Sequence, residues 1–155
     1  MNKEETYRLL LQQVAALVEG ERDEVGVLAN VAAALHAAFD TYFWTGFYLR
    51  RENELRLGPF QGPPACYRIA VGRGVCGTAC LRGETIVVAN VEQFAGHIAC
   101  SSLSRSEIVV PMHNAAGHVM GVLDIDSDRL AAFDETDRLW LEQIVAAVER
   151  QLYGA

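Results

Sequence analysis

The sequence predicts an α+β domain: a central antiparallel sheet, the N- and C-terminal helices packed together on one of its faces, and loops plus a short helix forming a ligand pocket on the other. Three observations predict it. Helix-period apolar spacing is confined to the two ends of the chain. Aromatic and β-branched runs fill the middle. Two of these runs, 106–112 and 118–126, are separated only by the polar stretch 113–117, too short for a parallel crossover.

The elements follow in order. Tyr7, Leu10, Leu11, Val14, Leu17 and Val18 recur every three or four residues, and Gly20 suits a helix end. A second periodic run sets Val25, Leu28, Ala32, Leu35, Ala38 and Phe39 on one side, and Asp40-Thr41 interrupts it. Residues 42–49 are rich in aromatics and read as a strand; 50–53 is a polar turn, and 54–57 returns as its hairpin partner. Residues 58–74, with three prolines and four glycines, form a long loop, and a loop of this length in a small domain is usually functional. A short helix over 75–81 ends at Gly83; residues 85–89 form a strand, and 90–105 a second long loop or irregular helix. After the 106–126 hairpin, Asp134 caps a last helix that runs to about Leu152 with Leu139, Ile144, Val145, Val148 and Leu152 on its apolar side.

A chain of 155 residues fits one domain over 1–155 and needs no disulfide for stability. Twenty acidic residues against 13 basic ones give a net charge of −7, which speaks against nucleic acid and against an anionic membrane as partners. The start has no signal-peptide pattern, and no apolar run is long enough to span a bilayer. A cytoplasmic location is therefore expected, where thiols are mostly reduced and a disulfide is transient and catalytic.

Against that background Cys66, Cys76 and Cys100 stand out. Each lies in glycine-, proline- or serine-rich sequence, where a cysteine is more readily a thiolate, a ligand or a redox partner than a small hydrophobe. Cys80 is placed to turn inward from the short helix and is expected in the core. The spacings (Cys76-x-x-x-Cys80, and His97-x-x-Cys100) match structural zinc sites poorly, so no metal is expected. A redox role for Cys100 needs a second thiol within reach, and Cys66 and Cys76 are the loop candidates. Asp124 and Asp126 alternate on one face of an apolar strand with Leu123 and Ile125 on the other; desolvation and mutual repulsion should raise at least one carboxyl pKa. Glu107, opening the neighbouring strand, can join them. Trp44 and Tyr48 share a face, with Gly46 between them leaving that face open. Each feature has a plainer reading as well: capping for Asp126, core packing for the aromatics, a structural or exposed role for His36, and no triad partner for His113 or His118.

Taken together, Trp44-Thr45-Gly46-Phe47-Tyr48-Leu49, Leu57-Gly58-Pro59-Phe60-Gln61-Gly62, Ala65-Cys66, Gly72-Arg73-Gly74-Val75-Cys76-Gly77-Thr78-Ala79, His97-Ile98-Ala99-Cys100, Ser106-Glu107-Ile108-Val109 and Gly121-Val122-Leu123-Asp124-Ile125-Asp126-Ser127 resemble the free methionine-(R)-sulfoxide reductases, enzymes on a GAF-domain fold. The resemblance implies a GAF-like sheet and reduction of the R-sulfoxide of free methionine. It implies Cys100 as nucleophile, passing through a sulfenic acid, and Cys66 as resolving cysteine in a Cys66–Cys100 disulfide. It implies Cys76 as an auxiliary thiol, Glu107, Asp124 and Asp126 as catalytic and substrate-binding carboxylates, and Trp44 and Tyr48 as substrate-binding aromatics. No bound cofactor is expected; the external reductant is of thioredoxin type, and a homodimer through the terminal helices is expected. The alternative is a non-catalytic GAF module that senses a small ligand.

Overall fold

The computed structural model describes residues 1–97 and 103–154. Its helices are α1 (Lys3–Val18), α2 (Glu24–Ala38), α3 (Gly74–Arg82) and α4 (Glu135–Leu152); its strands are β1 (Trp44–Arg51), β2 (Glu54–Gln61), β3 (Arg68–Ala70), β4 (Ile86–Val88), β5 (Ser106–His113) and β6 (Val119–Ser127). The strands form a single six-stranded sheet in the order β3-β2-β1-β6-β5-β4, with every neighbouring pair antiparallel. Among the described residues no helix is long and apolar enough to cross a membrane.

Period-two alternation on the central strands divides the molecule in two. Phe47, Leu49, Ile108, Val110, Met112, Leu123 and Ile125 face one way and pack against α1, α2 and α4. Trp44, Tyr48, Val109 and Val122 face the other way and pack with α3. The helix layer is largely apolar and holds a buried polar cluster. There Asp137, 1% exposed, accepts from the Tyr7 hydroxyl at 2.5 Å and from Lys3 Nζ at 2.7 Å, while the Tyr7 and Tyr42 hydroxyls lie 2.6 Å apart. This cluster ties the first helix to the last. Asp137 also accepts from the backbone N–H of Asp134, whose own carboxylate caps α4 in return, so the cap expected at Asp134 is a reciprocal capping box.

Several boundaries differ from the sequence reading. Strand β2 does not stop at Leu57 but continues through Gly58-Pro59 to Gln61. The ladder tolerates the proline because the register shifts between Gly46 and Tyr48, so Phe47 stands opposite the irregular Gly58-Pro59 step. Residues 68–70 add an edge strand within the expected loop. Val25 is 64% exposed, not on the buried side of α2, which instead buries Val27, Leu28, Val31, Ala32, Ala34 and Leu35. His36 has a structural role, with its Nδ1 2.9 Å from the hydroxyl of Thr45 on β1. Gly83 ends α3 as expected, in the left-handed region at φ 66° with its N–H on the Ala79 carbonyl. In the β5–β6 turn the Asn114 side chain accepts from the backbone N–H of both Ala116 and His118.

Candidate active site

Strand register gathers the site. Trp44 on β1 pairs with Asp126 on β6, and Asp126 pairs with Glu107 on β5. One residue pair along, Gly46 stands beside Asp124 and Asp124 beside Val109. Alternation then points Trp44, Tyr48, Glu107, Asp124 and Asp126 into one pocket, closed by Cys76 and Val75 of α3, by Pro64 and Ala65 of the 62–67 loop, and by Phe43, Ile69, Arg73, His97 and Ser104. The cavity holds about 50 Å³ open to the centres of water molecules, several times the roughly 10–15 Å³ that one water needs. That is room for a small metabolite.

One wall is aromatic. The Trp44 ring stacks between Tyr48 and Phe60, with centroids at 5.9 and 5.2 Å. Gly46 does not leave this face open, as the sequence suggested. Its missing side chain is the space Trp44 occupies: a Cβ there would lie 2.7 Å from Trp44 Cη2 and would also meet Phe60. The polar ends of both aromatics hold the neighbouring loop. Trp44 Nε1 donates to the Pro63 carbonyl and the Tyr48 hydroxyl to the Cys66 carbonyl, each at 3.0 Å.

The facing wall is acidic and dry. Glu107 is 6% and Asp124 5% exposed. Burial pushes the Glu107 carboxyl well above the usual range, and every other influence on it, from Asp124 and Asp126, pushes the same way. Burial also raises Asp126, with Asp124 adding to it, but a hydrogen bond from Ser104 Oγ at 3.0 Å pulls back. Burial raises Asp124 too, opposed by its proton-bearing neighbours Glu107, Cys76 and Asp126. Asp124 is thus pulled in both directions. Its Oδ1 is buried with no hydrogen-bond partner among the described residues, so it presents an unanswered acceptor to the cavity.

Cys76 lies on α3, within the short helix expected over 75–81, but it is buried, not loop-exposed: it is 4% exposed, with its thiol 3.8 Å from Glu107 Oε2. Burial, then the charges of Asp124, Glu107 and Asp126, pushes that thiol well above its ordinary value, so it is a poor thiolate as it stands. Cys66 is half-buried on the loop and disulfide-bonded. Cys80 is a buried free thiol in the pocket-side core, as expected. Cys100 lies outside the described residues; His97 and Ser104, which bracket it in sequence, both line the pocket. Burial lowers the pKa of His97, against a smaller pull from Asp124, so its imidazole is biased toward the neutral form. The sequence reading missed Arg73, Ser104, Phe43 and Phe60. Ser104 had a signal in its position just ahead of the acidic strand, whereas the other three are placed by tertiary packing alone.

A GAF-domain model matches residues 2–152. The substrate-bound structure of free methionine-R-sulfoxide reductase from Neisseria meningitidis superposes with a TM-score of 0.94 at 52% identity, over 97% of this chain and 90% of that one. This chain belongs to the free methionine-R-sulfoxide reductase family of GAF domains. It is also 45% identical to the Escherichia coli free methionine-R-sulfoxide reductase, over 98% of this chain and 92% of that protein. To GAF domain-containing protein A of Dictyostelium discoideum it is 54% identical, over 96% and 93% of the respective chains. The α+β fold expected from sequence is thus the GAF fold of these relatives.

Proposed function

We propose that this protein, a single GAF domain over 1–155, reduces free methionine-(R)-sulfoxide to methionine. The observation that carries the reading is the pairing of an aromatic wall with a buried cluster of carboxyls whose pKa values burial pushes up. Trp44 and Tyr48 hold the S-methyl end. Asp124, with its unanswered Oδ1, takes the ammonium of the free amino acid, and a residue within a peptide has no such group to offer. Glu107 is the proton donor, because burial, Asp124 and Asp126 all push its pKa up.

In this reading the Cys100 thiolate attacks the sulfoxide sulfur as Glu107 protonates the oxygen. Oxygen passes to Cys100 as a sulfenic acid, methionine leaves, and two electrons have moved from one sulfur to the other. Cys66 then condenses with the sulfenic acid, releasing water and forming the Cys66–Cys100 disulfide, which a thioredoxin-type dithiol reduces. No bound cofactor enters the cycle. Cys76, buried against Glu107, is an auxiliary group. The supports are the disulfide-bonded state of Cys66 and the pocket positions of His97 and Ser104 on either side of the Cys100 segment. We place the protein in the cytoplasm as a homodimer; Leu9, Leu17 and Leu139 on the terminal helices are exposed and apolar, which suits a partner there.

The deciding measurement compares free and peptide-bound methionine-(R)-sulfoxide with a thioredoxin system. Turnover of the free compound alone, abolished in Cys100→Ser, is expected. Unchanged activity in Cys100→Ser overturns the mechanism, and saturable methionine binding with no sulfoxide consumption would favour the sensor alternative.

A further inference from the structure

The same pocket holds a donor set with a use beyond the reductase reading. Cys76 Sγ, a Glu107 carboxylate oxygen and an Asp124 carboxylate oxygen all lie within 4.8 Å of one another, and all three residues are buried. Ligands on a tetrahedral zinc ion stand about 3.3–3.5 Å apart, given Zn–S near 2.3 Å and Zn–O near 2.0 Å. The observed spacing therefore closes onto one ion with side-chain rotations of about an ångström. A second, independent observation points the same way: Asp124, which lines the pocket, has its Oδ1 buried and without a hydrogen-bond partner among the described residues, so its carboxylate has an acceptor to spare. One sulfur and two hard oxygens suit a borderline-soft dication better than calcium or magnesium, which take oxygen ligands.

We propose that the pocket binds a zinc-class divalent cation through Cys76, Glu107 and Asp124, in the space that the substrate ammonium would occupy. Binding forms one metal–sulfur and two metal–oxygen bonds. It releases the Cys76 thiol proton to solvent together with any proton the two carboxyls carry, and no electron is transferred. Metal and amino acid then exclude one another, so zinc acts as a competitive inhibitor. The site also gives Cys76 a part distinct from that of the redox cysteines. Only the competition with methionine rests on the reductase reading; the metal site stands on the donor geometry.

The test uses the full chain with Zn²⁺ in calorimetry and Cd²⁺ as an ultraviolet probe of thiolate coordination. One equivalent should bind, with a cadmium–thiolate charge-transfer band that persists in Cys100→Ser and Cys80→Ala and vanishes in Cys76→Ser and Cys76→Ala. Zn²⁺ affinity should fall at least tenfold in Glu107→Gln and in Asp124→Asn, and at least tenfold in wild type under saturating free methionine. Two variants at position 76 and two carboxyl variants guard against the misfolding of any one. Retention of the band without Cys76, its loss in Cys100→Ser, or no saturable Zn²⁺ binding overturns the site. A chain that binds Zn²⁺ as described but never consumes sulfoxide would defeat the reductase reading and leave the metal site standing.

Discussion

The hydroxyl of Tyr48 donates to the backbone carbonyl of Cys66, 3.0 Å away. A residue of the pocket's aromatic wall therefore holds the loop that carries Cys66. Burial, with Asp124 adding to it, keeps the phenol protonated and a donor at all ordinary pH. Tyr48→Phe keeps the ring and loses one neutral hydrogen bond, about 1 kcal/mol. Methionine released in a single turnover should change less than twofold, whereas steady-state turnover, which needs Cys66, should fall about fivefold. Rapid-quench and steady-state assays on the same preparation separate the two. An equal loss in both would show that the bond serves substrate binding instead.

The carboxyl cluster makes stability depend on pH. The folded pKa of Glu107 lies above the unfolded value near 4. The folded chain then binds protons that the unfolded chain has released, so stability is full below that unfolded value and is lost as pH rises through the raised folded value. Wild type should melt several degrees lower at pH 8 than at pH 5. Glu107→Gln, which cannot ionise, should shrink that gap while lowering kcat by about 10²-fold or more through loss of the proton donor. Differential scanning calorimetry and a pH–rate profile check the two halves, and a gap unchanged in the variant refutes this account of the cluster.

Gly46 tests whether the tryptophan ring is held by backbone shape. Gly46→Ala places a methyl on the edge of Trp44 and against Phe60. The overpacking costs about 1–3 kcal/mol, and displacement of the ring should raise KM for the sulfoxide about tenfold with the fold intact. Steady-state kinetics together with near-ultraviolet circular dichroism of Trp44 show whether the ring has moved. An unaltered spectrum and KM would mean that the wall accommodates the methyl.

The Asp137 cluster should behave in the opposite way. Asp137→Ala takes from Lys3 and the Tyr7 hydroxyl their shared acceptor and breaks the α4 capping box. Removing one partner of a buried, hydrogen-bonded charge typically costs about 3–5 kcal/mol. At a few degrees per kcal/mol for a domain of this size, Tm should drop by about 10 °C. Because the cluster lies across the sheet from the pocket, kcat/KM below the melting range should stay within twofold of wild type. A catalytic defect of tenfold or more at 20 °C would show that the helix layer communicates with the site.

Much of this was legible in the chain because period-two patterning is a strong signal. Asp124-Ile125-Asp126 within an apolar run can only place both acids on one face, and the short 113–117 link forces an antiparallel hairpin that sets Glu107 beside them. The setting of Cys76 was hidden for a physical reason. The short helix over 75–81 could be read, but not how tightly α3 packs: a Cβ at Gly77 would lie 2.5 Å from the Ala70 carbonyl oxygen, and Cys76 beside it is buried against Glu107. Likewise Gly58-Pro59 reads as a strand end, and only the cross-strand irregularity opposite Phe47 shows how β2 continues. Gly46 was misread because sequence cannot tell an empty notch from one filled by a neighbouring ring.

The Asn114 turn has a bearing on chemistry that its position would not suggest. It fixes which residue of β5 stands opposite which residue of β6, and side chains alternate faces at every step. One residue more or less between Met112 and Val119, if absorbed as a slide of the ladder and not as a bulge, would swing Glu107 among hydrocarbon side chains and bring Ile108 to the cavity. Spacer length in this hairpin therefore governs reactivity as much as folding, and related chains that vary freely in their surface loops should keep the length of this one.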